Sequence, residues 1–241
     1  MSLPESVKNL LEHGVHFGHL SKHWNPKMKR FIFGKKKNVY VIDLEKTAQK
    51  LEEAKEFVKN TARKDGSILF VATKKQLRNL IKENAESCSM PYMTERWIGG
   101  FLTNFPTIKG RINKYIEMTE RKKSGDFDSL SHKEATRIYR DIERMDKSYS
   151  GVIGLKDYPK CIIVVDPKKE IACVREASKM AIPIVGIVDT DADPDLIDYP
   201  IPGNDDAIKS VGYIIGQLIA AIKEGKQAQA QITKMEEKKE E

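Results

Sequence analysis

Three short apolar runs, separated by helical patterns, constrain the fold of this chain more than any other feature. They read SILFVAT at 67–73, CIIVV at 161–165 and PIVGIV at 183–188. Continuous apolar runs of this length are typical of strands that are buried on both faces of a parallel sheet. The stretches between them repeat apolar residues every three or four positions, which predicts amphipathic helices. The alternation therefore predicts an α/β fold with a doubly wound, mostly parallel sheet.

Local patterns predict the other elements. Asp43 is a predicted N-cap, and Asp166 followed by Pro167 predicts a helix start, because an acidic cap and a proline at the first helical position favour one. The predicted elements are a helix over 5–13, a loop to residue 34, a strand over 39–42, a helix after Asp43, a helix over 75–87, an extended piece at 92–93, a helix over 168–180 and a helix over about 206–223.

Residues 106–149 interrupt the alternation, because no strand pattern occurs there. One helical stripe runs from Ile108 to Thr119, and a second has the 3, 4, 3, 4 spacing of a coiled-coil seam. Ser131 and Glu134 form a capping box for the second helix. We interpret 106–149 as an antiparallel coiled-coil hairpin that projects as an arm from an α/β domain, with two helices lying on the sheet as the alternative. The second stripe comprises Ala135, Ile138, Ile142, Met145 and Tyr149.

The two parts of the chain that flank this hairpin are predicted to form one globular domain, made of residues 1–105 and 150–225. Residues 226–241 are polar and alternate in charge, which predicts a flexible charged tail.

Positive charge is concentrated near the N-terminus. Residues 14–42 contain seven Lys and Arg, no acidic residue, and Phe17, Trp24, Phe31 and Phe33. The excess of seven equals the net charge of the whole chain, +7. Cations interleaved with aromatic rings suit an RNA-like polyanion, so 14–37 is predicted to be a basic binding loop; a solvated basic loop over core aromatics is the alternative. The seven cations are Lys22, Lys27, Lys29, Arg30, Lys35, Lys36 and Lys37.

A second segment is strongly acidic. Residues 181–208 contain seven aspartates and no Lys or Arg. The contrast with the N-terminal segment predicts an electrically polarised protein, in which the basic end faces nucleic acid while the acidic end avoids it or receives a basic partner. The aspartates are Asp189, Asp191, Asp193, Asp195, Asp198, Asp205 and Asp206.

Enzyme signatures are absent from the sequence. It has no GxGxxG after a predicted strand, no GxxxxGK[ST] and no GxSxG, and Gly99-Gly100 is typical of a tight turn. The 189–195 loop fails as an EF-hand because Pro194 and Pro200 occupy key positions. A divalent ion held by this loop together with Asp205 and Asp206 stays an alternative, as does a metal-dependent phosphohydrolase.

Composition predicts a cytoplasmic protein. No apolar run approaches the ~20 residues of a membrane span, and the first residues lack a signal-peptide pattern. Cys88, Cys161 and Cys173 are widely spaced, which predicts reduced thiols. His13, His16, His19 and His23 are interrupted by glycines, which disfavours a helical metal site.

Four strings carry a family resemblance: GVHFGH, WNPKMKRFIFG, RWIGGFLTNF and DTDADPDLIDYPIPGNDDAI. With them, the chain closely resembles the bacterial small-subunit ribosomal protein two family from about residue 3 to residue 226. The resemblance implies a flavodoxin-like or Rossmann-like fold with a coiled-coil hairpin. It also implies a structural role in translation without catalysis, cofactor, small-molecule substrate or membrane contact. Its expected partners are small-subunit ribosomal RNA and neighbouring ribosomal proteins, including ribosomal protein one, on the cytoplasmic ribosome.

Two inferences predict RNA-binding residues. The resemblance implies contacts by His16, His19, Trp24, Asn25, Lys27, Lys29, Arg30, Lys74, Lys75, Arg96, Trp97, Thr103 and Asn104. Charge alone adds Lys35, Lys36 and Lys37 in the basic loop, and Lys109 and Arg111 at the base of the hairpin. No catalytic or metal-binding residue is assigned. The resemblance also includes relatives with a metal beside the aspartate loop.

Overall fold

A computed structural model describes the backbone of residues 4–127 and 129–240 and the side chains of 4–127 and 129–231. Its strands are β1 (Phe17–Leu20), β2 (Ile32–Lys36), β3 (Val39–Ile42), β4 (Ile68–Val71), β5 (Tyr92–Met93), β6 (Cys161–Val165), β7 (Ile184–Val188) and β8 (Tyr199–Pro202). Its helices are α1 (Glu5–Glu12), α2 (Leu44–Arg63), α3 (Arg78–Ser87), α4 (Phe105–Lys123), α5 (His132–Tyr149), α6 (Ile171–Lys179) and α7 (Ile208–Glu240).

Five parallel strands form the central sheet, in the order β5-β4-β6-β7-β8. Numbered along the chain within this sheet, the order is 2-1-3-4-5, which is that of flavodoxin-like folds. The predicted α/β class is confirmed. Strand β8 was not predicted, because Pro200 and Pro202 are typical of a turn. It lies at the sheet edge, where a strand tolerates proline.

Helices cover both faces of the sheet. In β4, Ile68 and Phe70 face one core with residues of α2, α3 and α7, whereas Leu69 and Val71 face a second core with residues of α4 and α6. Strands β4, β6 and β7 are buried along their whole length. This alternation explains why their sequences are continuously apolar.

The prediction of a loop over 14–37 is wrong. These residues belong to a three-stranded antiparallel sheet, ordered β1-β3-β2, with a 3₁₀ turn at Pro26–Phe31. Lys36 pairs with Val39, so Lys37 and Asn38 form a two-residue hairpin loop, and both have positive φ (47° and 64°). Such loops usually contain Asn-Gly or Asp-Gly, and Lys-Asn does not carry that signal.

Two helix boundaries also differ from the prediction. Helix α6 begins at Ile171, because Asp166 has φ +62° and its carboxylate accepts the amide of Lys169 in a tight turn. Helix α7 continues to Glu240 instead of ending near 223. The flexibility of 226–241 stays a prediction, and the side chains beyond residue 231 lie outside those described.

The helix pair predicted over 106–149 is confirmed, with the capping box of Ser131 and Glu134. Buried residues lie in the first half of α4, from Phe105 to Tyr115, and near the end of α5, at Ile142 and Tyr149. Burial in α4 and α5 therefore lies mainly in these two parts. The antiparallel coiled-coil arm stays a prediction, with two helices lying on the sheet as the alternative.

The structure bears on two predictions made from composition, the state of the cysteines and the lack of a membrane span. All three cysteines are buried free thiols, as predicted. Within the described part of the chain, none of the helices combines the length and apolar character needed to cross a membrane.

Candidate nucleic-acid interface

The N-terminal sheet lies against the aspartate loop, so the predicted charge polarisation is wrong. The ammonium group of Lys27 lies 2.7 Å from Asp193 and 3.2 Å from Asp195, and Arg30 lies 2.8 Å from Asp195. The hydrogen bond to Asp193 raises the pKa of Lys27, and Lys27 in turn lowers the pKa of Asp195. Exposed ion pairs add little stability. These ion pairs nevertheless engage Lys27 and Arg30, two cations that were predicted to bind RNA.

A close backbone approach seats β1 on this loop. A Cβ atom at Gly18 would lie 2.6 Å from Thr190 Cγ2 and 3.0 Å from the carbonyl oxygen of Tyr40. The amide of His19 donates to Thr190 Oγ1 (2.8 Å), and the amide of Asn25 donates to the carbonyl oxygen of Thr190 (2.8 Å). Glycine is therefore needed at position 18 for steric reasons.

His19 enters a group of aspartates that follows β7. Its Nδ1 lies 3.1 Å from Asp189 Oδ2 and 3.9 Å from Asp191 Oδ1, and its Nε2 lies 3.4 Å from Asp206 Oδ2. Asp189 is only 1% exposed. The hydrogen-bonding interaction with Asp189 outweighs burial and raises the pKa of His19 to about 9. In the protein alone, the imidazole therefore serves as a cation for its acidic neighbours.

Lys74 neutralises the other side of this group. It lies 2.9 Å from Asp166, 2.7 Å from Asp205 and 2.8 Å from Asp206. Burial opposes its charge, but Asp205 and the other carboxylates outweigh burial and raise its pKa. Burial and the nearby Asp189 and Asp166 raise the pKa of Asp205.

Lys74 occupies the crevice in which α/β proteins commonly bind a ligand. It follows β4, beside β6, where the strand order reverses and where α/β sheets commonly bind ligands. Here the protein fills that crevice with its own ion pairs.

The same group offers ligands for a divalent ion. One donor atom each from His19, Asp189 and Asp191 lies within 4.8 Å of the others. Asp205 Oδ2 and His19 Nδ1 are buried, yet neither has a hydrogen-bond partner of good geometry among the described residues. Imidazole and carboxylate donors in this arrangement suit a metal such as zinc. The sequence did not predict this trio because 170 residues separate His19 from Asp189.

The RWIGGFLTNF segment wraps around one carboxylate. Glu176 of α6 accepts hydrogen bonds from Trp97 Nε1 (3.0 Å) and from the amides of Gly100 (2.8 Å) and Leu102 (3.0 Å). Thr103 donates through its amide and hydroxyl, both at 3.3 Å. Burial disfavours the charged carboxylate, but these bonds outweigh it and lower the pKa of Glu176.

Trp97 is 8% exposed, so its ring offers little surface to RNA, and its predicted RNA contact stays a prediction. It packs edge-on against Phe101 within the core. Arg96 and Asn104, which flank the buried part of the segment, are exposed. The middle of the segment therefore packs inside the protein, whereas Arg96 and Asn104 near its ends reach the surface.

Other predicted contacts have internal roles as well. Trp24 packs against Tyr40 with ring centroids 4.8 Å apart and the rings tilted by 39°, and Asn25 Oδ1 accepts the amide of Lys27 (3.0 Å) to cap the 3₁₀ turn. His16 packs on Phe17, and burial lowers the pKa of His16. These residues shape the N-terminal sheet.

The remaining predicted cations are exposed. Lys109 donates to the carbonyl oxygen of Lys156 (2.6 Å). The others have no carboxylate oxygen within 4 Å among the described residues, so their charges stay available to phosphates. They are Lys29, Lys35, Lys36, Lys37, Lys75, Arg96 and Arg111.

Helix α5 carries a group of cations that were not among the predicted binding residues. They recur with the 4, 3, 4, 3 spacing of a helical stripe and all are exposed. The signal was present in the sequence, parallel to the apolar seam that was recognised. The residues are Lys133, Arg137, Arg140, Arg144 and Lys147.

Comparisons with known proteins agree with the fold. The family model described as Ribosomal protein S2 matches residues 10–225. The chain is 48% identical over 231 residues to the small ribosomal subunit protein uS2 of Coprothermobacter proteolyticus, covering 96% of this chain and 86% of that protein. It is 50% identical over 220 residues to the protein of the same name from Dictyoglomus turgidum, covering 91% of this chain and 89% of that protein.

Proposed function

The chain belongs to the ribosomal protein S2 family, and on that premise we propose that it binds small-subunit ribosomal RNA through its exposed, unpaired cations. As a member of this family it is a structural component of the small subunit of the cytoplasmic ribosome rather than an enzyme. The alternative of a phosphohydrolase that uses the 189–195 loop is therefore set aside.

The RNA proposal rests on one observation: some predicted cations pair with aspartates, whereas the others are exposed and have no carboxylate partner among the described residues. Lys27, Arg30, Lys74 and His19 already pair with aspartates, and all but Lys74 join the N-terminal sheet to the aspartate loop. The exposed set projects from that sheet and from the adjoining loops. When unpaired lysine and arginine side chains bind phosphates, the counterions condensed on the RNA are released, and this release favours binding. Thr103, Asn104 and Lys109 remain in the proposed contact set.

A charge-neutralising variant tests this proposal. In the full chain, K35Q/K36Q/K37Q removes three exposed cations near the tip of the β2–β3 hairpin. We expect its affinity for small-subunit ribosomal RNA, measured by filter binding at fixed salt, to fall by at least about tenfold. The control K50Q/K55Q/K59Q removes the same charge from α2, where these lysines pair with glutamates. Equal affinities of the two variants would contradict the proposal.

We propose that the groove between α1 and the N-terminal sheet receives ribosomal protein one. The groove has a volume of about 380 Å³, and Leu11, Val41 and Leu44 line it beside Phe33, which is 80% exposed. Leu11 is also exposed, so Phe33 belongs to an exposed apolar patch along the groove, and such patches mark protein interaction sites. A segment of ribosomal protein one with apolar side chains therefore fits this groove.

Assembly of mutant subunits tests the docking groove. Small subunits that carry F33S should retain less ribosomal protein one after sedimentation than wild-type subunits do, because the groove loses its aromatic wall. L130S, which changes an exposed leucine between α4 and α5, is the matched control. If F33S subunits retain as much ribosomal protein one as L130S subunits, the groove is not its docking site.

We also propose that His19, Asp189 and Asp191 hold a divalent cation, because their donor atoms converge and the buried Oδ2 of Asp205 has no hydrogen-bond partner among the described residues. A bound ion would tie β1 to the loop after β7. We expect the purified chain to contain about one equivalent of metal by elemental analysis and to lose thermal stability with a chelator. H19A should contain no metal, whereas H23A, at an exposed position, should retain it. A metal-free wild-type chain would refute the site.

A further inference from the structure

We propose that Thr190 is a positioning residue for RNA binding: it fixes the N-terminal sheet on the α/β domain and so sets where Lys35, Lys36 and Lys37 present their charges. This inference rests on the proposed function, in which these lysines bind ribosomal RNA. It assigns a role to a buried, uncharged residue that lies outside the basic segment.

Thr190 holds the N-terminal sheet by hydrogen bonds at two points. It is 0% exposed. Its hydroxyl oxygen accepts the amide of His19 in β1 (2.8 Å), and its hydroxyl group donates to Asp189 Oδ1 (3.1 Å). Its carbonyl oxygen accepts the amide of Asn25, just before the 3₁₀ turn (2.8 Å). A hydroxyl group can accept and donate at the same time, so the side chain of Thr190 joins β1 to the loop after β7.

The shape of Thr190 matches the missing side chain of Gly18. A Cβ atom at Gly18 would lie 2.6 Å from Thr190 Cγ2 and 2.9 Å from Thr190 Oγ1. Both distances are too short for a real contact, and both residues lie in packed structure, so one of the two would have to move. The two residues are therefore complementary, although they are far apart in sequence.

This contact is connected to the lysine hairpin through the sheet. The same Cβ atom at Gly18 would lie 3.0 Å from the carbonyl oxygen of Tyr40 in β3, and Tyr40 pairs with Lys35 in β2. Neighbouring strands are about 4.8 Å apart, so the backbone of Lys35 lies about 10 Å from Gly18. A shift of β1 on Thr190 therefore moves the hairpin that carries the lysines.

The other contacts between the sheet and the aspartate loop are suited less well to this role. The ion pairs of Lys27 and Arg30 with Asp195 are exposed, so they add little stability and are screened by salt. The contacts of Thr190 are buried and do not depend on a charge of its own side chain. A sheet that is fixed before RNA binds need not be ordered on binding, which favours affinity.

Filter binding of the full chain to small-subunit ribosomal RNA tests the inference. G18A should lower the affinity, because its added methyl group meets Thr190. T190A removes both contacting atoms, Cγ2 and Oγ1, so G18A should have a smaller effect when it is added to T190A. We expect the loss of affinity caused by G18A to be at least about threefold larger in wild type than in T190A. G216A, which adds a methyl group at an exposed position of α7 with open space around it, should bind like wild type.

A third background separates positioning from a general loss of structure. In K35Q/K36Q/K37Q the side chains that Thr190 positions are uncharged, so adding G18A should change the affinity by less than about twofold. An equal loss in this background and in wild type would overturn the inference. If K35Q/K36Q/K37Q loses affinity but G18A does not, the proposed function stands and Thr190 is not a positioning residue. If K35Q/K36Q/K37Q binds as tightly as wild type, the proposed function fails together with this inference.

Circular dichroism establishes that each variant is folded. If G18A does not fold, T190V and T190S provide the test. T190V keeps the branched shape but cannot accept the amide of His19, whereas T190S can. T190V should bind the RNA at least about twofold more weakly than T190S. Equal affinities of these two variants would overturn the inference.

Discussion

At the scale of single residues, Glu176 shows how an acidic side chain organises a segment that looked like a binding motif. Its carboxylate accepts hydrogen bonds from Trp97, Gly100 and Leu102, and Gly100 adopts φ +81° in the turn. A carboxylate that accepts several backbone amides is stabilised in its charged form. The string RWIGGFLTNF pointed to a specific structure, but its acidic partner lies 76 residues from Gly100 and could not be inferred from spacing.

The charged state of Glu176 should contribute to stability in a pH-dependent way. Because its pKa is lowered in the folded state, its contribution is present above the unfolded pKa of about 4.3 and is lost as pH falls through the folded pKa. We expect E176Q to lower the free energy of unfolding by about 1–3 kcal/mol at pH 7, measured by urea denaturation. The difference from wild type should shrink below pH 4. E83Q, on the exposed face of α3, should match wild type at both pH values; a pH-independent effect of E176Q would contradict this role.

At the scale of elements, prediction succeeded where local chemistry decides the structure. The fully apolar strands, the N-cap of Asp43 and the capping box of Ser131 and Glu134 all follow from residues close together in sequence. It failed where tertiary contacts override local signals. Strand β8 forms despite two prolines because β7 pairs with it, and the 166–170 turn uses Asp166 for a purpose other than a helix cap.

The candidate interface likewise contains residues whose roles follow from the local sequence and residues whose roles depend on distant partners. The exposure of Lys35, Lys36 and Lys37 is what a run of lysines predicts. The use of Lys27, Arg30 and Lys74 as internal counter-ions depends on partners more than 90 residues away, so their local sequence contains no sign of it. The row of cations on α5, from Lys133 to Lys147, was predictable from its helical spacing.

At the scale of the whole molecule, opposite charges that are separated in sequence are brought together by the parallel sheet. The aspartates follow β7 and β8 at the carboxyl edge, and the N-terminal sheet covers that edge. The basic segment is therefore partly neutralised before it meets any partner. The exposed cations that we propose to bind RNA are therefore a smaller set than the sequence predicts.

The salt dependence of RNA binding tests this account most directly. Wild-type chain is titrated with small-subunit ribosomal RNA between 50 and 200 mM salt, and the logarithm of the association constant is plotted against that of salt concentration. If at least about six exposed cations meet phosphates, affinity should fall by about 10³ or more across this range. An association constant that is unchanged across the range would contradict the claim that unpaired surface cations bind ribosomal RNA.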